Sequence, residues 1–172
     1  MPNLCDYSMR IKGTKENVYE FHKRMEDYEL PNHLWRIFEA DIYNEKDNGD
    51  GIVSIDVTGS CAWSIETCCR ASGYSDGVDL LEVNSRELNL EIEIWSEESG
   101  MCFQEYYLYK NGECLIDDCV EWNEYYYDEC EYESFEEFKE EYALPDDITE
   151  DDLEDEYYYH EGGFDNYCEF SI

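Results

Sequence analysis

Three features of this chain predict an α+β fold with helices on one face of a mostly antiparallel sheet. Residues 88–95 (Leu-Asn-Leu-Glu-Ile-Glu-Ile-Trp) alternate between apolar and polar through Ile94, the period of a half-buried strand. Asn111-Gly112 joins two strand-like runs, and this dipeptide favours a tight hairpin that makes its flanks antiparallel neighbours. Upstream, Val18, Phe21, His22 and Met25 recur at helical spacing. The order strand, helix, strands, helix and then consecutive strands gathers the helices on one side of the sheet.

In chain order, residues 5–12 read as a strand with Tyr7, Met9 and Ile11 on one side. Gly13 punctuates it, and Thr14 caps a helix running to about Tyr28, which Leu30-Pro31-Asn32 ends. Residues 34–43, with Trp35, Ile37, Phe38 and Ile42, read as extended and lead into a turn at Asp47-Asn48-Gly49-Asp50-Gly51. Residues 52–59 form a strand with Val53, Ile55 and Val57 on one face. A short helix is expected around 63–71 and another over 79–88, feeding directly into the strand at 88–95. There Leu90, Ile92 and Ile94 are expected to face inward, and Glu91 and Glu93 outward. Residues 101–110 and 113–122 are the two hairpin strands. Ser134 and Glu137 form a capping box at the head of a helix to Tyr142, with Phe135, Phe138 and Tyr142 on one face. Thr149 caps a second short helix over 150–156, and residues 162–172 supply a last short strand.

Charge is the strongest constraint on function. The 172 residues carry 46 Asp and Glu against 11 Lys and Arg, a formal net charge of −35. Residues 1–110 have a net of −12, whereas residues 111–172 have a net of −23 with Lys139 as their single base. Such a field repels nucleic acid and anionic membranes and draws in basic protein surfaces. Disordered acidic chains lack aromatics, but here 16% of residues are aromatic and 42% hydrophobic, enough to order a core. Carboxylates beyond the first turn of the 150–156 helix do nothing for its dipole, so stability does not account for them.

No apolar run of about 18 residues is present, and residues 1–6 lack the basic and apolar regions of a signal peptide. Nine cysteines in a chain read this way are expected to be reduced thiols. Metal and catalytic motifs fail on spacing. A calcium loop with Gly51 at its sixth position would start at Lys46 and end at Val57, where it needs Asp and Glu. Cys68-Cys69 are adjacent and Cys114 and Cys119 lie an odd five positions apart, so neither pair suits zinc. Buried structural thiols are the expected alternative. His22, His33 and His160 have no nucleophile setting, and no glycine loop for phosphate is present. The expectation is a protein that is not an enzyme, with no cofactor and no metal.

The opening Met-Pro-Asn-Leu-Cys with a strand ending in Gly13, the run Cys61-Ala62-Trp63-Ser64, residues 87–93 and residues 96–105 carry a family likeness. Over about residues 1–121 the chain resembles the YubB-like phage and plasmid proteins that begin Met-Pro-Asn-Trp-Cys. Leu4 stands where that family has Trp. The resemblance implies a ferredoxin-like fold for domain 1–121, a mobile-element origin and a bacterial cytoplasm. It carries over no activity, and it leaves residues 122–172 as an acidic, Tyr-rich helical extension.

That extension holds the expected partner-binding residues: Glu136, Glu137, Glu140, Glu141, Asp146, Asp147, Glu150, Asp151, Asp152, Glu154, Asp155 and Glu156. Tyr125, Tyr126, Tyr157 and Tyr158 accompany them. Tyrosines in the runs 106–107, 125–127 and 157–159 either pack alternate rings on the core or lie in the binding face, where Tyr is enriched. Duplex DNA carries one negative charge per roughly 1.7 Å of axis. A rigid acidic ridge is therefore expected to occupy a basic nucleic-acid channel. The function expected is a phage inhibitor of a host nucleic-acid-binding defence protein, an anti-CRISPR acting as a DNA mimic against a Cas effector. The alternative is a non-inhibitory acidic adaptor assembling with a basic phage or host protein.

Overall fold

The computed structural model describes residues 3–70, 76–125, 134–142, 144, 149, 159–162, 164 and 166–172. The chain divides into two compact units, Met1–Val120 with Phe164–Ile172, and Glu121–Gly163.

The first unit is an antiparallel sheet with helices. Its strands are β1 (Leu4–Thr14), β2 (Asp41–Gly49), β3 (Ile52–Ala62), β4 (Glu91–Glu98), β5 (Phe103–Lys110) and β6 (Glu113–Tyr125), in the order β2-β3-β1-β4-β5-β6. Helices α1 (Lys15–Glu26), α2 (Ile65–Cys69) and α3 (Leu80–Glu87) lie between them. The α+β reading is what the structure has. In the second unit the far end of β6 pairs with β7 (Tyr159–Gly162), from Trp122 opposite Gly162 to Tyr125 opposite Tyr159. Helix α4 (Phe135–Tyr142) completes that unit.

Alternation builds the core. Cys5, Tyr7, Met9 and Ile11 of β1 are all buried and stand opposite Cys61, Gly59, Val57 and Ile55 of β3. On the other side, Met9 and Ile11 face Ile94 and Ile92, which in turn face Tyr107 and Tyr109. Val18, Phe21 and Met25 of α1 and Leu80 and Leu81 of α3 close over the same cluster. The Thr14 hydroxyl accepts from the Asn17 amide, and Ser64 and Asp79 accept in the same way at the heads of α2 and α3. At the hairpin Asn111 (φ 51°) and Gly112 (φ 80°) are both left-handed, as a two-residue turn that follows strand twist requires.

Four expectations change. Residues 34–40 are not a strand; only Ile37 bridges to Cys61, and the paired edge strand is β2, which runs through the expected turn to a tip at Asp50-Gly51. Asn89 (φ 50°) separates α3 from β4, so the strand begins at Glu91 rather than Leu88. The last strand is β7, and residues 166–172 hold turns and coil instead. Glu93 faces away from the helices as expected, yet it is fully buried.

The cause of that burial is the return of Phe164–Ile172 to the first unit, over the sheet face opposite the helices. The Phe164 amide donates to Gln104 Oε1 (2.8 Å), and Phe164 and Tyr167 sit edge-on to Trp95, which stacks on Tyr106 at 3.7 Å. The Ser171 and Ile172 amides donate to Glu93. Arg10 lies under the Phe170 ring, donates to the Ile172 carbonyl oxygen and holds both oxygens of Asp56.

Candidate functional site

Helix α4 carries four of the expected binding carboxylates. Its head is set by Ser134, whose hydroxyl accepts from the Glu137 amide (3.2 Å) and whose carbonyl accepts from the Phe138 amide. Phe138 is fully buried, and the Phe135 ring stacks near it at 6.0 Å with Lys139 Nζ 5.8 Å from its centroid. Glu136, Glu137, Glu140 and Glu141 are all exposed. Spacings of one, three and four residues place them on one stripe of the helix. From Glu136 to Glu141 the axis advances about 7.5 Å at 1.5 Å per residue, so the four carboxylates lie at a mean spacing of roughly 2.5 Å. That spacing is within a factor of about 1.5 of the ~1.7 Å per charge of duplex DNA.

Of the remaining expected residues, Asp146, Asp147, Glu150, Asp151, Asp152, Glu154, Asp155, Glu156, Tyr126, Tyr157 and Tyr158 lie outside the described residues, as does the helix expected over 150–156. Tyr125 falls in β6 opposite Tyr159. In the pair Tyr106-Tyr107 both rings pack, one on each face of the sheet. Tyr107 is buried on the helix side, and Tyr106 stacks on Trp95 on the other.

The first unit's bases are largely engaged by its own acids. Lys12 and Lys110 share Glu91, Lys15 pairs with Glu45, and Arg86 pairs with Glu82. Arg24 bridges Glu20 and Glu87 and reaches Asn84. Arg70 binds Asp117 with two parallel contacts (2.9 and 2.8 Å), Glu66 at 2.8 Å and Asp79 at 3.3 Å, with its guanidinium 4.6 Å over Tyr107. Burial disfavours its charge, but Asp117, Glu66 and the tyrosine rings outweigh this and hold its pKa above the ordinary value. Burial, then the neighbouring carboxylates, push Tyr107 and Tyr109 upward, so both keep their protons and donate, Tyr107 to Glu105 and Tyr109 to Asp79. Glu105 also accepts from the Ile65 and Glu66 amides and the Ser96 hydroxyl, which caps the buried head of α2. This network was not foreseen, because its members come from five separate elements: α2, the head of α3, β4, β5 and β6.

The cysteines divide by position. Cys5, Cys61, Cys68 and Cys69 are buried free thiols, with Cys5 opposite Cys61 in the β1–β3 ladder and Cys68 Sγ donating to the Ala62 carbonyl. The neighbouring Cys5 and Cys68 thiols, then burial, raise the Cys61 pKa, while the Cys61 thiol lowers that of Cys68 against its own burial. Cys114 and Cys119 are half-buried and exposed, not the buried thiols expected, because β6 lies near the sheet's rim. Among the described residues, no group of three or more His, Cys, Asp or Glu is arranged to hold a metal. His22 packs on the helix face, bonded to the Ala40 carbonyl. Also among the described residues, no helix is long and apolar enough to cross a membrane.

Comparison with known proteins returned no match: no family model, no curated protein and no solved structure is similar to this chain.

Proposed function

We propose that this protein inhibits a host nucleic-acid-binding defence protein by standing in for nucleic acid, with a Cas effector as the target class to test first. Inhibition comes from occupying a basic channel rather than from catalysis. The observation that carries the reading is the α4 stripe: four exposed carboxylates on an ordered, capped helix, at an axial charge spacing within a factor of about 1.5 of that of DNA. The net of −23 over residues 111–172 extends the field that steers such an encounter.

The mobile-element reading draws support from the strand order β2-β3-β1-β4 with α1 after β1 and α3 before β4. This order supports reading residues 4–98 as a ferredoxin-like βαββαβ unit, with β5 and β6 as an extension of it. By sequence, the acidic residues from Asp146 to Glu156 add further carboxylates after α4 to the proposed partner-binding segment.

The test measures target-DNA binding by a guide-loaded Cas effector, by fluorescence anisotropy, with and without the protein. Competition that weakens as salt rises supports the reading. Substituting Glu136, Glu137, Glu140 and Glu141 by Lys should abolish competition while the circular dichroism spectrum is kept. Complex formation that leaves DNA binding intact would instead identify an acidic adaptor.

A further inference from the structure

A cavity of about 370 Å³ opens on the first unit, away from the acidic stripe in sequence, between the end of α1 and the segment leading into β2. Its size is near the lower end of ligand cavities, which run from about 300 to 1,000 Å³. Tyr28 and Phe38 line it and are half exposed, at 53% and 48%. Acidic Glu26, Glu39 and Asp41, all exposed, also line it, with buried Met25, Ile37 and Ala40.

The walls are built before any ligand arrives. The Phe38 amide donates to the Ser60 carbonyl (2.9 Å), the Tyr28 hydroxyl donates to the Ile37 carbonyl (3.0 Å), and the Tyr7 hydroxyl donates to the Glu39 carbonyl (2.6 Å). His22 Nε2 bonds the Ala40 carbonyl at 2.7 Å, and Nδ1 lies 3.4 Å from Glu26. Among the described residues no base pairs with the side chain of Glu39 or Asp41.

Negative charge at the rim excludes anions, and the carboxylates are not gathered into a metal-holding group. A neutral apolar ligand would desolvate carboxylates without compensation. A cation with a flat face and a long apolar stem satisfies every wall: the stem lies on Met25 and Ile37, the face stacks on an aromatic ring, and the fork meets carboxylates. We propose that this cavity receives an arginine side chain of the basic partner protein. The assignment rests on the preceding reading that the partner is basic, and it adds a second contact point on the first unit.

The experiment titrates the full-length, ¹⁵N-labelled protein with Nα-acetyl-arginine amide, following backbone amide shifts. The same compounds of citrulline (neutral isostere) and lysine serve as controls. Expected are saturable shifts confined to residues 25–28 and 37–41, absent with citrulline and smaller with lysine. Affinity should fall about fivefold in the Glu39→Gln/Asp41→Asn double variant and about threefold in Phe38→Ala, whose exposed ring can be removed without emptying the core. Equal shifts with citrulline or lysine, shifts spread over the whole acidic surface, or no shifts at all would overturn the assignment. No partner or tail residue enters this titration. Its failure alongside intact inhibition by the wild-type chain removes the cavity and leaves the decoy reading standing. Arginine binding without any inhibition does the reverse.

Discussion

The Ser171 amide donates to both oxygens of Glu93, at 2.9 and 2.7 Å, across 78 positions of sequence. The Ile172 amide (3.0 Å) and the Tyr106 hydroxyl (2.9 Å) complete the shell around this fully buried carboxylate. Three hydrogen-bonding groups, two of them on the C-terminal segment, thus converge on one side chain of β4. Glu93→Ala should strand those donors and destabilise the protein by about 1–3 kcal/mol in urea unfolding. It should also free residues 166–172 to proteolysis and redden the emission of Trp95. Unchanged protease sensitivity would show that the aromatic contacts of Phe164 and Tyr167 suffice.

Asp56 supplies a pH signature. Burial alone would raise its pKa, but the bonds from Arg10 and Asn44 outweigh burial and set it below the ordinary carboxylate value. A depressed native pKa means stability that is fully present above the unfolded-state value, about 3.9, and is lost as pH falls through the lower native one. Asp56→Asn should therefore be less stable than wild type at pH 6, with the gap closing below about pH 4. A gap independent of pH would remove the ion pair from the explanation.

Self-repulsion should make salt act in opposite directions on folding and binding. With a net charge of −35, raising the ionic strength screens repulsion within the folded chain and should raise its Tm. The same salt should weaken any complex held by carboxylate–base contacts. Parallel melting and binding series check both signs.

Gly59 props the cavity wall. A Cβ there would come within 1.9 Å of the Glu39 carbonyl oxygen and 2.8 Å of the Tyr7 hydroxyl. Gly59→Ala should cost at least the upper part of the 1–3 kcal/mol range (about 3) typical of overpacking. It should also shift the amides of residues 37–41 without any ligand.

Removing the Ser134 hydroxyl tests the order of the acidic stripe directly. Ser134→Ala loses the acceptor at the α4 head and should cost the helix about 0.5–2 kcal/mol. Amide exchange at Glu137 and Phe138 should accelerate, and inhibition should weaken even though every carboxylate remains.

Much of the architecture was legible locally. Period-two runs located β1, β3 and β4, Thr14 located the head of α1, and Asn111-Gly112 located the hairpin of β5 and β6. The α4 stripe was equally legible, because Ser134, Phe138 and the four glutamates lie within eight positions. Edge strand β2 was missed, since Asp41–Gly49 is almost wholly exposed and a strand without a buried face leaves no alternation. The cavity was invisible for another reason: its walls are joined by backbone carbonyls of residues 37, 39 and 40, which no side-chain pattern encodes.

By itself the sequence determined the sign and placement of the charge and which residues of each strand share a face. Both are local properties, fixed by composition and by the pleat. Only the tertiary structure decided that the second face of the sheet is covered, that Glu93 is a buried acceptor and that Tyr106 packs on Trp95. Alternation states which side chains point the same way, but coverage depends on where a segment some seventy residues later comes to rest.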